Sequence, residues 1–179
     1  MDSIIELKIE DSHRRKAQKK YDALPKEIKQ NGYNNLSYQS GDFLLPSFIS
    51  EIVVCDYLGE GAKIKNTKDY DIVCNADNID VKLKPNSDKP PKKYWNASVP
   101  SYQLKIQDCH GYIFTRINRN LTILWVMGII GKNDFKNQAM YAEKGSYDGQ
   151  WKWKVDSHYI KIEKLQPLSL YKEGKYVLQ

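Results

Sequence analysis

Asp69-Tyr70-Asp71-Ile72-Val73-Cys74 and Ile79-Asp80-Val81-Lys82-Leu83-Lys84, joined by Asn75-Ala76-Asp77-Asn78, decide how the rest of the chain is read. Apolar and polar residues alternate in both runs and the link is made of turn formers, so the segment is expected to form a β-hairpin. A turn of two or four residues is expected to set Ile72 opposite Val81 and Asp71 opposite Lys82. One face then carries Tyr70, Ile72, Cys74, Ile79, Val81 and Leu83 for a core, and the other gathers Asp71, Asp80 and Lys82. An odd turn would mix the faces, and the segregation itself argues for the even one. Asp71 and Asp80 become diagonal neighbours on this reading, close enough for their carboxylates to converge on one cation.

Upstream, Leu44 to Leu58 is a strong helix pattern stopped by Gly59 at the cap position. Its stripe is Leu44, Phe48, Glu51, Cys55 and Leu58. A glutamate among four apolar residues is costly to bury alone, because an uncompensated charge loses several kcal/mol of hydration. It needs either a functional partner or a structural ion pair. Residues 4 to 30 read as helical and sparsely apolar, with Pro25 opening a second short helix and Asn31-Gly32-Tyr33-Asn34-Asn35 ending it. The basic run from His13 to Lys20 reads first as a solvated helix face and second as a phosphate-contacting one.

Downstream, residues 85 to 100 form a proline-rich connection holding Lys89, Lys92, Lys93, Tyr94 and Trp95. A loop of that length in a compact domain tends to be functional or disordered. Strands are expected at Tyr112 to Ile117 and Thr122 to Ile129, a helix from about Asn133, and a late strand near Tyr159 to Ile162. The fold class is therefore α/β or α+β, with a central mixed, mainly antiparallel sheet flanked by helices. One domain is expected for 179 residues, with residues 1–40 a helical extension packed on a core formed by residues 41–179.

Composition narrows the function classes. Twenty-eight Lys and Arg against 22 Asp and Glu give +6, which favours a polyanionic partner. Aromatic residues at 12% supply enough apolar surface for a folded core, so a disordered chain is excluded. Leu121 to Ile130, the longest apolar stretch, is too short to span a membrane, and acids stand where a signal peptide would carry positive charge. Cys55, Cys74 and Cys109 are too few and too scattered for a disulfide framework or a zinc site. Gly128-Ile-Ile-Gly131-Lys132-Asn133 is not a P-loop, no zinc-protease helix motif occurs, and no serine sits in a nucleophile elbow. His110 beside Cys109 reads as structural before it reads as a ligand or base.

Two aspartates, a glutamate from an adjacent helix and a lysine suit a hard cation such as Mg²⁺, or Mn²⁺ in its place, and hydrolysis of a phosphodiester. Asp71 and Asp80 would be direct ligands, the Val81 carbonyl a further oxygen, and Glu51 the holder of a second metal or of a ligated water. Lys82 would orient that water or neutralise developing charge.

At these residues the chain resembles the PD-(D/E)XK nuclease superfamily. The helix glutamate is Ser50-Glu51-Ile52, the strand aspartate is Tyr70-Asp71-Ile72-Val73, and the half-motif is Asp80-Val81-Lys82. The resemblance covers roughly residues 41–165, and Tyr70 stands where the family's naming proline would be. It implies a restriction endonuclease-like core, a DNA substrate, and catalytic roles for Glu51, Asp71, Asp80 and Lys82. Gln103 in Ser101-Tyr102-Gln103-Leu104 corresponds to a glutamine that some members use. The layout from Tyr112 to Lys132 is similar to that of small phage and prokaryotic nuclease-like proteins. The expected compartment is the cytoplasm, or the host cytoplasm for a phage-encoded member, and a homodimer is compatible with the sequence. Lys84, Lys89, Lys92, Lys93, Tyr94 and Trp95 are the expected DNA contacts. The alternatives are a nuclease-fold module that binds nucleic acid without cutting it, and an interaction domain whose carboxylates are ion pairs.

Overall fold

The structure is a computed structural model, and it describes residues 4–31, 43–65, 67–84 and 88–178. The expected turn at residues 32–35, the division at residues 40 and 41, and Pro85 lie outside the described residues.

The elements run β1 (Ile5–Lys8), α1 (Asp11–Asp22), α2 (Lys26–Asn31), α3 (Leu44–Leu58), β2 (Ala62–Ile64), β3 (Ile72–Cys74), β4 (Asp77–Lys84), β5 (Asn96–Pro100), α4 (Ser101–Ile106), β6 (Gly111–Ile117), β7 (Ile123–Gly131), α5 (Lys132–Gln138), β8 (Met140–Ala142), β9 (Tyr147–Asp148), β10 (Trp151–Lys152), β11 (Ser157–Lys161) and α6 (Leu168–Lys172). Six strands form one sheet in the order β1-β7-β6-β4-β3-β2. Only β4 and β6 run parallel; the other neighbours are antiparallel. The fold is mixed α and β, with a mixed sheet flanked by helices.

Both faces of this sheet are covered. Ile72, Cys74, Ile79, Ile113, Ile117, Val126 and Ile129 pack with α3 residues Phe48, Ile49, Ile52 and Val53 and with Ala17 of α1. Tyr112, Phe114, Met127 and Ile130 pack on the opposite side with Ala97 and Val99 of β5, Leu104 of α4, Phe135 of α5 and Ile160 of β11. Each large apolar side chain fully withdrawn from water contributes roughly 1.5 to 3 kcal/mol, so the two clusters clamp the sheet between them. A three-stranded sheet, β5-β11-β8, supplies much of the second layer. The expectation of one core face and one open site face is thus corrected. Asp80 and Lys82 project toward a second layer of protein.

Three further expectations change. Ile5–Lys8 is a strand rather than helix: Ile5 and Leu7 alternate with Glu6 and Lys8, β1 pairs with β7, and Glu6 accepts from the Trp125 indole at 3.0 Å. Asn96–Pro100 is a strand rather than loop, paired along its length with β11. The hairpin keeps its even parity but closes two residues tighter, with Ile72 opposite Ile79 and Cys74 opposite Asp77. Ile72, Cys74, Ile79, Val81 and Leu83 keep the expected core face because the shift is an even number of residues, but Tyr70, expected with them, lies beyond the end of the pairing and packs on the second cluster.

The tighter turn leaves only Asn75 and Ala76 at its apex, with φ of 50° and 71°. Two positive φ values suit a type I′ hairpin, where asparagine is tolerated and glycine is preferred second. Alanine pays the left-handed penalty of about 1 kcal/mol. Ala76→Gly should therefore raise stability by about 1 kcal/mol and Tm by about 2 to 4 °C. An unchanged or lowered Tm in thermal unfolding would show that this turn is not the one adopted in solution.

Candidate active site

The site forms where β3 leaves β4. Up to Ile72 the two strands pair through their backbones. At the next residue the Asp71 amide still donates to the Ile79 carbonyl at 3.0 Å, but the Val81 amide turns to the Asp71 carboxylate, Oδ2, at 2.8 Å. The side chain thus takes the place of a ladder carbonyl. Backbone pairing of β3 with β4 ends at Ile72, so no ladder register relates Asp71 to Asp80; the two carboxyl groups lie within electrostatic reach of each other.

Asp80 and Lys82 share one face of β4. The Lys82 ammonium lies 2.5 Å from Asp80 Oδ2 as an ion pair, both side chains about nine-tenths buried. That oxygen has no aligned hydrogen bond, so the contact is Coulombic. Lys82 donates instead to Gln103 Oε1 at 2.7 Å and to Gln107 Oε1 at 3.1 Å, while Gln107 Nε2 donates to Asp80 Oδ1 at 3.2 Å. Gln107 bridges acid and base, and Gln103 holds the base from one turn earlier in α4. The Tyr112 ring lies 5.7 Å from the ammonium.

Glu51 arrives from α3. Its neighbour Ser50 shares a 2.7 Å hydrogen bond with Thr115 of β6, both fully buried, which fixes the helix on the sheet. Glu51 accepts from Lys20 of α1 at 2.6 Å. The stripe glutamate therefore has the ion pair that its burial demands. Its carboxyl titrates above the ordinary range because burial outweighs Lys20, and nearby Asp80 adds repulsion. Asp71 is raised well above the usual aspartate range by burial first, then by the charges of Glu51 and Asp80, against the Val81 amide and Lys82. Three carboxyl groups thus face two ammonium groups in a poorly hydrated space, which favours the protonated form of Asp71.

The structure brings Glu51, Asp71, Asp80, Lys82 and Gln103 together. It also adds Lys20 and Gln107, which the sequence reading missed. A signal for Lys20 existed: it follows His13 and Ala17 at i, i+4, i+7, and both of those are buried. Gln107 lies four residues past Gln103, and its amide bonds the Gln103 carbonyl.

Val81 is engaged through its amide, as above. The expected nucleic-acid contacts divide. Lys84 lies on the Lys82 face and donates to Ser98 Oγ. Trp95 is half-buried under the Arg116 guanidinium, 4.7 Å from it, and packs on the second core cluster. Backbone bonds from Glu163 to Lys93 and from Ile162 to Trp95 fasten that segment to the chain after β11. Lys89, Lys92, Lys93 and Tyr94 are exposed, and Lys92 covers the Tyr94 ring at 5.6 Å.

The donor set is all oxygen and surplus in negative charge, the chemistry a hard divalent cation selects. As the side chains are arranged, no three acid, imidazole or thiol groups among the described residues are gathered to hold a metal ion. Glu51, Asp71 and Asp80 are each occupied by Lys20, the Val81 amide and Lys82. No protein-family model matches the chain, and no curated protein matches it.

The charge imbalance has a signed consequence. A carboxyl whose folded pKa is raised stabilises the protein below the unfolded value and loses that contribution as pH rises through the folded value. In metal-free buffer the gain in stability of Asp71→Asn over wild type should open near pH 4, the unfolded value of an aspartate. It should widen toward pH 8, to about 1 to 2 kcal/mol. Asparagine keeps an oxygen for the Val81 amide, so a flat or negative difference in denaturant unfolding across that range would refute the repulsion.

Proposed function

We propose that this chain is a metal-dependent nuclease of the restriction endonuclease-like fold, hydrolysing phosphodiester bonds in DNA. The observation that carries the proposal is the convergence at one strand end of Glu51, Asp71, Asp80 and Lys82, with Lys82 aimed by Gln103 and Gln107. A structural ion-pair network would tend toward well-separated pairs, whereas this one crowds three carboxyl groups together in a buried place at an energetic cost that raises Asp71.

Mg²⁺ or Mn²⁺ held by Asp71 and Asp80, with Glu51 within reach, would polarise the phosphate and lower the pKa of a bound water. Lys82 places a cation beside Asp80, where it neutralises charge developing on the phosphate or orients the attacking water. Gln103 and Gln107 hold that ammonium from two sides, so little rearrangement is needed during reaction. Lys20 keeps Glu51 charge-compensated in the meantime and must release it for Glu51 to act on anything else.

One observation favours a second reading, a nucleic-acid-binding module without catalysis: every carboxylate already has an internal partner. Incubating the purified chain with single-stranded, duplex and branched DNA, with Mn²⁺ or with EDTA, separates the two. Product is expected only with metal. Asp80→Asn and Lys82→Gln should each lower the rate by about 10²- to 10³-fold, with unfolding curves checking that both variants are folded. Gln107→Ala should lower it less and leave DNA binding in place. Binding by the wild type without metal-dependent product would select the second reading, and equal cleavage by Lys82→Gln would discard Lys82 as a catalytic group.

A further inference from the structure

A second cluster of charge, opposite in sign, lies beyond the carboxylates on the same face of the sheet. Lys84 follows Lys82 by two residues on β4, roughly 7 Å along the strand, and its parallel partner on β6 is Arg116. Lys82 has Asp80. Among the described residues the Lys84 side chain donates to the Ser98 hydroxyl of β5, and the Arg116 side chain has no ion pair and a buried Nε without a hydrogen bond. The Arg116 guanidinium lies 4.7 Å from the Trp95 ring, and its Nε is buried without a partner.

Two cations side by side without an acid is an unusual thing for a protein to withdraw from water, since desolvation and mutual repulsion both oppose it. Burial first, then Lys82 and Arg116, push the Lys84 ammonium down to about 7. Packing alone would be served better by an apolar residue at position 84. An anion entering between Lys84 and Arg116 would remove the repulsion, accept from both, and take the Ser98 hydroxyl as a further donor. The flat guanidinium held on an indole is suited to the paired oxygens of a phosphate.

We propose that Lys84, Arg116 and Ser98 form a phosphate-binding site that holds a backbone phosphate of the nucleic acid next to the one presented to Asp80 and Lys82. The identity of the ligand rests on the nuclease reading; the anion chemistry stands on the cations themselves. The site also explains a contrast within the expected contacts: Lys84 is built into the sheet, while Lys92 and Tyr94 lie at the surface.

Thermal unfolding of the wild type in EDTA, with inorganic phosphate against chloride at matched ionic strength, tests the site directly. Phosphate should raise Tm, as any ligand of the native state does. Lys84→Met and Arg116→Gln should lose most of that rise, and Lys84→Met should start from a higher Tm because one of two repelling cations is gone. With a labelled single-stranded oligodeoxynucleotide and Ca²⁺, each variant should lose about 0.7 from the slope of log affinity against log salt. A wild type indifferent to phosphate, or variants with an unchanged salt slope, would overturn the site. Phosphate stabilisation without any Mn²⁺-dependent cleavage would remove the nuclease reading and keep the anion site. Cleavage by a phosphate-indifferent protein would do the opposite.

Discussion

The 2.8 Å hydrogen bond from the Val81 amide to the Asp71 carboxylate joins the sheet to its chemistry. β4 is paired through its backbone on both sides up to this point, and here one neighbour departs. A ladder amide left without an acceptor in so dry a place would cost the desolvation of a polar group. Asp71 supplies the acceptor from its side chain, and in doing so brings a negative charge to within Coulombic reach of Asp80 and Glu51. The same residue closes the sheet and contributes a carboxyl group to the site.

Around this junction charge is arranged by element. Acids come from the residue before β3, from β4 and from α3; the ammonium groups that answer them come from α1 and β4. Farther along β4 and β6 the sign reverses at Lys84 and Arg116. Both clusters lie on the face of β4 that the second layer of protein covers.

Some of this was written plainly in the residues. The apolar stripe of α3, its Gly59 stop and the alternation of β4 reflect local periodicity, and they place Glu51, Asp71, Asp80 and Lys82 with no tertiary information. Other features depend on partners distant in sequence. Ile5–Lys8 has four residues and no turn signal, and becomes a strand only because β7 offers an edge. Asn96–Pro100 hides between prolines and pairs with residues some sixty positions later. The hairpin register was misjudged by two because periodicity fixes parity, not length. Lys20 was hidden by composition: α1 is mostly polar, so a basic residue there reads as solvated unless its helical face is compared with His13 and Ala17.

The pairing of Ile5 with Val126, 121 positions apart, also governs how the chain reaches this structure. Ile123–Gly131 is almost wholly apolar and buried, and β1 covers its outer edge from Ile123 to Val126. During synthesis the first strand must wait for the seventh, a non-local closure of the kind that slows folding. Until it docks, β7 presents open backbone groups along a β-prone segment, the template on which chains add to one another. Once in place, β1 puts the acidic Glu6 and the basic Lys8 at that edge, charge of the kind that discourages edge-to-edge addition.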